Sequence, residues 1–445
     1  MKFGFESEKF LFDLKDNCTF HGVYRLVDAV SDYDSLYGDP VSDRITNEFV
    51  LNMIEMNTHP SKRQIEVIKD YLLLYQSIID VAKREHIAPV PLASMPFNFR
   101  PKMVPKWRYY VQNSILSGRK QKEWGIDSES PLLDAANCAG LHVHFEIKGI
   151  PEFLMFSNEL VNKYNMALML TPMIAFSSSP YFYGESGCSS MRAEKYFNGV
   201  YANHLLNGCL SPVMKTSEDV LKYTYAGVDD WIRKGVNVGF TKKEMEKLTY
   251  KRGANWSMVR WNRRWNTIEL RCLESDRVDL DIAKFVCATG AMRRLDNESN
   301  NLIPVMLKTN QSLDLYMLND IFQLSGKEFN ILPTAALHEL TSRAIKNGLE
   351  DDIVVSYLEK LISFAQKGVD QDCSDFFYIL KKALKNRENT SIKVRKKLGN
   401  RTGGIHKKYW VPIIKELIEE EREILKNLQR SNSHFYFSQK QSMNV

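Results

Sequence analysis

The sequence predicts an α+β fold: a catalytic body of mixed strands and helices over residues 1–280, then a mainly helical region, 281–445, packed on it. Three observations lead there. Strand-like stretches near residues 3, 49, 141 and 266 each place ionisable side chains on a single face. Beyond Asp279 the apolar pattern changes to helical spacing and stays there. The chain of 445 residues, 44% hydrophobic and 26% charged, carries enough apolar material for one large core or two domains.

Taken in order, Phe3 to Leu14 reads as a strand and Phe49 to Asn57 as a second. Ile65, Ile68, Leu72, Tyr75, Ile79 and Ala82 then recur at helical spacing, with Ser61 placed to cap the helix. Ala88 to Ser117 carries five prolines and five aromatics without a period and reads as an irregular, functional loop. Leu141 to Ile147 is a third strand, running through Gly149 and Pro151 into a long apolar helix that ends near Phe176. Ser177 to Gly184 is a loop, and Thr241-Lys242-Lys243-Glu244 is a capping box opening another helix. Asn266 to Leu273 is strand-like. Helices follow over 337–347, 352–365 and 412–428, the last with Pro412 in its first turn.

Composition removes several classes of function. With 60 basic against 54 acidic residues the net charge of +6 implies no special nucleic-acid or membrane partner for the whole molecule. The most apolar run, Asn165 to Phe176, is broken by Thr171 and Pro172 and is well short of the roughly 20 residues a membrane helix needs. The first residues lack a secretory pattern, and seven scattered cysteines without a CxxC pair read as reduced thiols, so a cytoplasmic location is expected. The segment from Lys381 to Lys408 holds eleven Lys and Arg residues against Glu388 alone. It reads as a solvated helix and loop; closure over phosphates through Gly399, Gly403 and Gly404, or binding of nucleic acid, are the alternatives, and nucleic acid is the disfavoured partner.

The chemistry lies on the four strands. Glu6 and Glu8 share one face of the first, Glu55 ends the second, His142 and His144 share a face of the third, and Glu269 and Arg271 share a face of the fourth. Clustered carboxylates repel one another unless a cation sits between them. Oxygen ligands with one imidazole suit Mg²⁺ or Mn²⁺, whereas Zn²⁺ sites usually recruit more His or Cys. Arg260, Arg263 and Arg264 precede the fourth strand, and Arg192 follows the serine loop. Divalent metal beside arginine is what phosphoryl transfer requires. The same arginines with Trp256, Trp261 and Trp265 leave an RNA-binding patch open at this stage.

Six blocks carry a resemblance. Gly4-Phe5-Glu6-Ser7-Glu8-Lys9-Phe10-Leu11 resembles the G-x-E-x-E opening strand of the glutamate–cysteine ligase type 2 family of carboxylate–amine ligases. Glu48 and Glu55-Met56-Asn57-Thr58 resemble its E-x6-E-x-N/G-T segment, and Cys138-Ala139-Gly140-Leu141-His142-Val143-His144 its C-G-x-H-V-H strand with one inserted alanine. Ala175 through Ser179-Pro180-Tyr181-Phe182 to Arg192 is similar to its A-x-S-x-S-P-F loop and downstream arginine. Arg260 and Arg264 through Thr267, Glu269 and Arg271 to Glu274 are similar to R-P-x-x-R-x-G-T-x-E-x-R-x-x-D, and Ala344 to Leu349 to a helical A-x-x-x-G-L piece.

The resemblance implies a glutamine synthetase-like fold: a curved, mainly antiparallel sheet whose concave face carries two or more Mg²⁺ or Mn²⁺ ions, flanked by helices. It implies that Glu8 and Glu55 hold one ion, and that Glu6, His142 and Glu269 hold a second nearer the γ-phosphate of ATP. Arg271 would stabilise the transferred phosphoryl group, with Glu269 and His144 as further catalytic candidates. Arg192, Arg260, Arg264 and Ser179 would contact ATP or substrate.

The implied reaction joins a small carboxylic acid, an amino acid such as glutamate among the candidates, to an amine through an acyl phosphate. Departures from the pattern (Trp261 for proline, Asn266 for glycine, no G-x-H-P turn in Leu92 to Phe97) fall on substrate-side segments and leave the substrate pair open, as is assembly into a homo-oligomer. A metal-dependent hydrolase or phosphotransferase on the same scaffold is the alternative activity.

Overall fold

The structure is a computed structural model that describes residues 1–37, 41–95, 102–120, 136–149, 151–180, 188–204, 206–252, 256–296, 303–307, 313–399 and 407–442. Its centre is an antiparallel sheet with the strand order β3 (Ile45–Asn47), β4 (Met53–Asn57), β1 (Phe3–Asp13), β6 (Gly140–Glu146), β8 (Thr267–Glu274), β7 (Val259–Asn262). The short β2 (Cys18–Thr19) and β5 (Ile87–Val90) also pair with β1, completing eight strands. Helices and a helical C-terminal part surround this sheet, so the mixed fold class and its antiparallel character hold.

β1 is buried over most of its length. Its odd positions pack inward, Phe3 and Phe5 against helices Gln64–Arg84 and Val278–Leu295, with Phe5 4.6 Å from the Tyr71 ring and 4.8 Å from that of Phe285. Ser7 and Lys9 follow on the same face and are fully buried. A cation there requires partners. Lys9 donates to Asp281 Oδ2 at 2.8 Å and to the Asp276 carbonyl, while the Ser7 and Tyr71 hydroxyls donate to the same Asp281 oxygen at 3.2 and 3.0 Å. Lys284 Nζ lies 3.6 Å from carboxylate oxygens of Asp276 and Asp281. The even positions, Glu6 and Glu8, therefore face the opposite side.

Several expectations change in detail. The single helix ending near Phe176 is a 3₁₀ turn over Pro151–Phe156, an α-helix over Asn158–Met169 and another 3₁₀ turn over Thr171–Ala175. The break falls at Thr171-Pro172, where proline lacks the N–H that would continue the ladder. The irregular 88–117 segment holds β5 and an α-helix over Trp107–Leu116; residues 96–101 lie outside the described residues. The last helix begins at Lys407, so Pro412 sits inside it rather than opening it. The C-terminal region is not purely helical, since β9 (Ile303–Met306), β10 (Leu324–Ser325) and β11 (Glu328–Ile331) form a small second sheet. The capping box is as read: the Thr241 N–H and hydroxyl both donate to Glu244 Oε2 at 2.7 Å.

Five of the eleven basic residues of the 381–408 segment pair with acids among the described residues. Arg387 pairs with Asp352, Lys393 with Glu420, Arg395 with Glu350, Lys396 with Glu388 and Lys397 with Glu416. Gly403 and Gly404 lie outside the described residues. No described helix is long and apolar enough to cross a membrane.

Candidate active site

Antiparallel pairing lines up the ionisable side chains of five strands on one face of the large sheet. Glu8 lies opposite Glu55, Glu6 opposite both Asn57 and His142, and Glu269 opposite both His144 and Arg260. The β6–β8 register shifts between Leu141 and Val143, so Arg271 and Cys272 together oppose His142. Such a bulge re-aims the side chain it carries. Gly140 begins β6 where a Cβ would come within 2.8 Å of both the His142 ring and the Arg192 guanidinium; its N–H donates to Glu8 Oε2 at 2.5 Å.

These residues floor a cavity of about 250 Å³. Arg260 and Arg271 lie beside its floor, and the β7–β8 turn with Arg263, Arg264 and Trp265 forms its rim. Arg263 lies 5.0 Å from the Tyr225 ring centre and Arg264 4.6 Å from that of Trp265.

Two groups of donors stand close enough to share a cation, each within 4.8 Å of one another: Glu6, His142 and Glu269, and Glu8, Glu48 and Glu55. In the first group the charges are matched internally. His142 Nδ1 lies 3.0 Å from Glu6 Oε2, and His144 Nε2 lies 3.2 Å from Glu6 Oε1. Glu269 accepts from Arg260 Nε at 2.7 Å and Asn262 at 2.9 Å, with Arg271 Nε 2.9 Å from its other oxygen. Burial would raise both acids, but His144 and His142 hold Glu6 well below the usual range, and Arg260 and Arg271 do the same for Glu269.

The second group is short of positive charge. Burial first, then the carboxylates of Glu48, Glu6 and Glu8, push the Glu55 carboxyl well above its ordinary value. Glu8 is likewise raised by burial, against the pull of His142. Three crowded carboxylates of this kind fit a divalent cation, and one oxygen of each is already held by a donor: Glu55 by Asn57 at 2.9 Å and Thr46 at 3.2 Å, Glu8 by Gly140, and Glu48 by Arg108 at 2.9 Å. The residues present fit the metal ions the sequence implies.

The expected site residues do not all reach the cavity. Glu6, Glu8, Glu55, His142, Arg260, Arg264, Glu269 and Arg271 do. His144 is absent from the wall and sits between Glu6 and the Thr267 hydroxyl, 3.1 Å from its Nδ1. Ser179, expected to bind ligand, is fully buried and donates to Glu274 Oε1 at 2.7 Å. Glu274 also accepts from the Ser177 hydroxyl and the Ser178 and Ser179 N–H groups, so the serine loop wraps a buried carboxylate instead of lining the cavity. Arg192 is also absent from the described wall; its guanidinium donates to the carbonyls of Cys272 at 3.2 Å and Arg271 at 3.4 Å. Tyr181 and Phe182 lie outside the described residues. Sequence reasoning assigned no ion to Glu48 and no role to Arg108; the E-x6-E spacing was the available signal for the first.

The chain belongs to glutamate-cysteine ligase family 2, whose family model matches residues 2–376. Among solved structures it is similar to a bifunctional glutathione synthetase from Pasteurella multocida, at 12% identity and a TM-score of 0.49, over 94% of this chain and 52% of that one. The chain thus spans about half the length of the Pasteurella protein. It is also similar to a glutamate–cysteine ligase from Francisella tularensis, solved in complex with AMP, at 13% identity and a TM-score of 0.47, over 99% of this chain and 94% of that one. A comparison with curated proteins gives no match.

Proposed function

We infer that this ligase uses ATP to join a small carboxylic acid to an amine, through an acyl phosphate, on a glutamine synthetase-like sheet. The observation that carries the reading is the single face on which Glu8, Glu48 and Glu55 adjoin Glu6, His142 and Glu269, with Arg260 and Arg271 alongside. Glu8, Glu48 and Glu55 would hold one Mg²⁺ or Mn²⁺ ion and Glu6, His142 and Glu269 a second; bound there, such ions neutralise phosphate charge.

The chain's own part is positioning. Arg260 and Arg271 are fixed by Glu269 and direct positive charge into the cavity, where the phosphoryl oxygens of ATP would lie. The acid's carboxylate oxygen attacks the γ-phosphorus and the bond to ADP breaks, which turns a poor electrophile into one with a good leaving group. The amine nitrogen then attacks the acyl carbon and phosphate departs as the amide forms. Rim residues Arg264 and Trp265 meet the substrates, and His144 positions Glu6 from behind the wall. The soluble acid and amine and ATP are the partners this reading requires.

Phosphate release tests it. Release should require acid and amine together, and Glu8→Gln, Glu55→Gln or Glu269→Gln should each lower it roughly 100-fold with the circular dichroism unchanged. Release without any amine would favour a metal-dependent hydrolase, and an active Glu269→Gln enzyme would exclude the two-ion arrangement.

A further inference from the structure

The three carboxylates of the Glu8–Glu48–Glu55 group are held by unlike donors. Glu8 and Glu55 are steadied by neutral groups: a backbone N–H, a hydroxyl and a carboxamide. Glu48 Oε2 alone among them takes a charged donor, Arg108 at 2.9 Å, and the Tyr109 hydroxyl donates to the same oxygen at 2.8 Å. Both donors come from the start of helix Trp107–Leu116.

That helix start is fastened to the strand region carrying Glu48. The Leu51 N–H donates to the Lys102 carbonyl at 2.8 Å and the Val104 N–H to the Phe49 carbonyl at 3.1 Å. Lys106 Nζ reaches the Asn47 carbonyl at 3.1 Å, and the Phe49 and Tyr109 rings meet edge to face at 5.0 Å. Arg108 is stacked over the Tyr109 ring at 4.4 Å and lines the cavity. The pair is therefore aimed at one carboxylate oxygen by backbone, ring and guanidinium together.

We propose that Arg108 and Tyr109 are positioning residues for a divalent cation held by Glu8, Glu48 and Glu55, and that they act on its affinity in opposite directions. Tyr109 is a neutral donor that orients Glu48, as outer partners of metal-ligating carboxylates do. Arg108 also orients Glu48, but it brings a positive charge to the place a cation must occupy and competes with the ion for the same carboxylate. At this separation the charge outweighs the orientation. Arg108 is thus a built-in counter-ion that the metal displaces from full possession of Glu48. The inference rests on the proposed function only in taking this group as an ion site.

The test is a calorimetric titration of the full chain with Mn²⁺ and no nucleotide. For the event at the Glu8–Glu48–Glu55 group, Arg108→Gln should tighten Mn²⁺ binding about tenfold, Tyr109→Phe should weaken it about tenfold, and Glu48→Gln should abolish that event while leaving the one at Glu6, His142 and Glu269. Arg108→Lys, which keeps the charge and loses the fork, should not tighten it. A purely structural role would weaken binding in both variants or in neither, and either result overturns the proposal, as does a chain that binds no Mn²⁺ at this group. Ligase activity is measured separately by amine-dependent phosphate release: release with unshifted Mn²⁺ affinities removes the positioning roles of Arg108 and Tyr109 and leaves the ligase standing.

Discussion

Asn266 closes the turn between β7 and β8 with φ of +47°, in the left-handed region that glycine and asparagine tolerate best. This explains why a residue other than glycine stands there. Its side chain also secures the cavity rim, donating to the carbonyls of Ile147 and Gly149 at 3.1 Å each and accepting from Trp261 Nε1 at 3.2 Å. Asn266→Ala should cost about 2 kcal/mol, the sum of the backbone penalty and one net hydrogen bond, and Asn266→Gly less than that. Urea midpoints of the two variants against the wild type measure the difference. At this scale the paired residues Glu6 and Glu8, His142 and His144, and Glu269 and Arg271 were legible, because a strand's period of two places them together without knowledge of the fold. Arg108 was not: it meets Glu48 only because residues 102–106 run back along residues 47–51, a non-local pairing with no sequence period.

Helix Lys407–Ser442 shows what an element adds. It packs on β5 and on helix Val278–Leu295, and it inserts Glu421, 1% exposed, at the start of the latter. Both Glu421 oxygens lie 3.1 Å from the Val278 N–H, the site where a helix N-terminus favours an acceptor. Burial pushes this carboxyl up to about 7, despite Lys9 nearby. The native chain then keeps a proton that the unfolded chain has released above its ordinary pKa of about 4.5. Stability supplied by that proton is complete in acid and is lost as the pH rises from about 4.5 through about 7, by roughly 3 kcal/mol. Glu421→Gln keeps an acceptor without the titration, so its thermal midpoint should decline less than the wild type's between pH 5 and pH 8 (about three units of scan). Long helices with an unbroken apolar period, such as Asp352–Ala365, were legible to the residue. The β9–β11 strands were not, because runs of two to four residues, few of them buried, carry no period; helix Val23–Tyr37 was missed although Val23, Leu26, Val27 and Val30 stand at helical spacing.

Across the whole molecule, the crowded carboxylates are a stability cost that a bound cation would convert into a gain. Mn²⁺ at about 100 times its dissociation constant should raise unfolding stability by about 2.7 kcal/mol, read as a higher thermal midpoint that a chelator reverses. Glu55→Gln relieves the repulsion, so without the ion it should melt above the wild type, and Mn²⁺ should then shift it little. The fold class and the antiparallel sheet were legible from strand patterns and family likeness, but the small second sheet and the identity of neighbouring strands required the structure. β1 meets residues as distant as Asp276 and Asp281. Its alternation has a consequence for how the chain assembles. A slip of one residue would turn every side chain of β1 over, setting Glu6 and Glu8 against Asp276 and Asp281 and sending Lys9 to the open face. Acid would then meet acid where water is excluded. The strand that serves the cavity thereby acts as a key with unlike edges: the charges needed for chemistry on one side and those buried on the other make the wrong insertion self-rejecting.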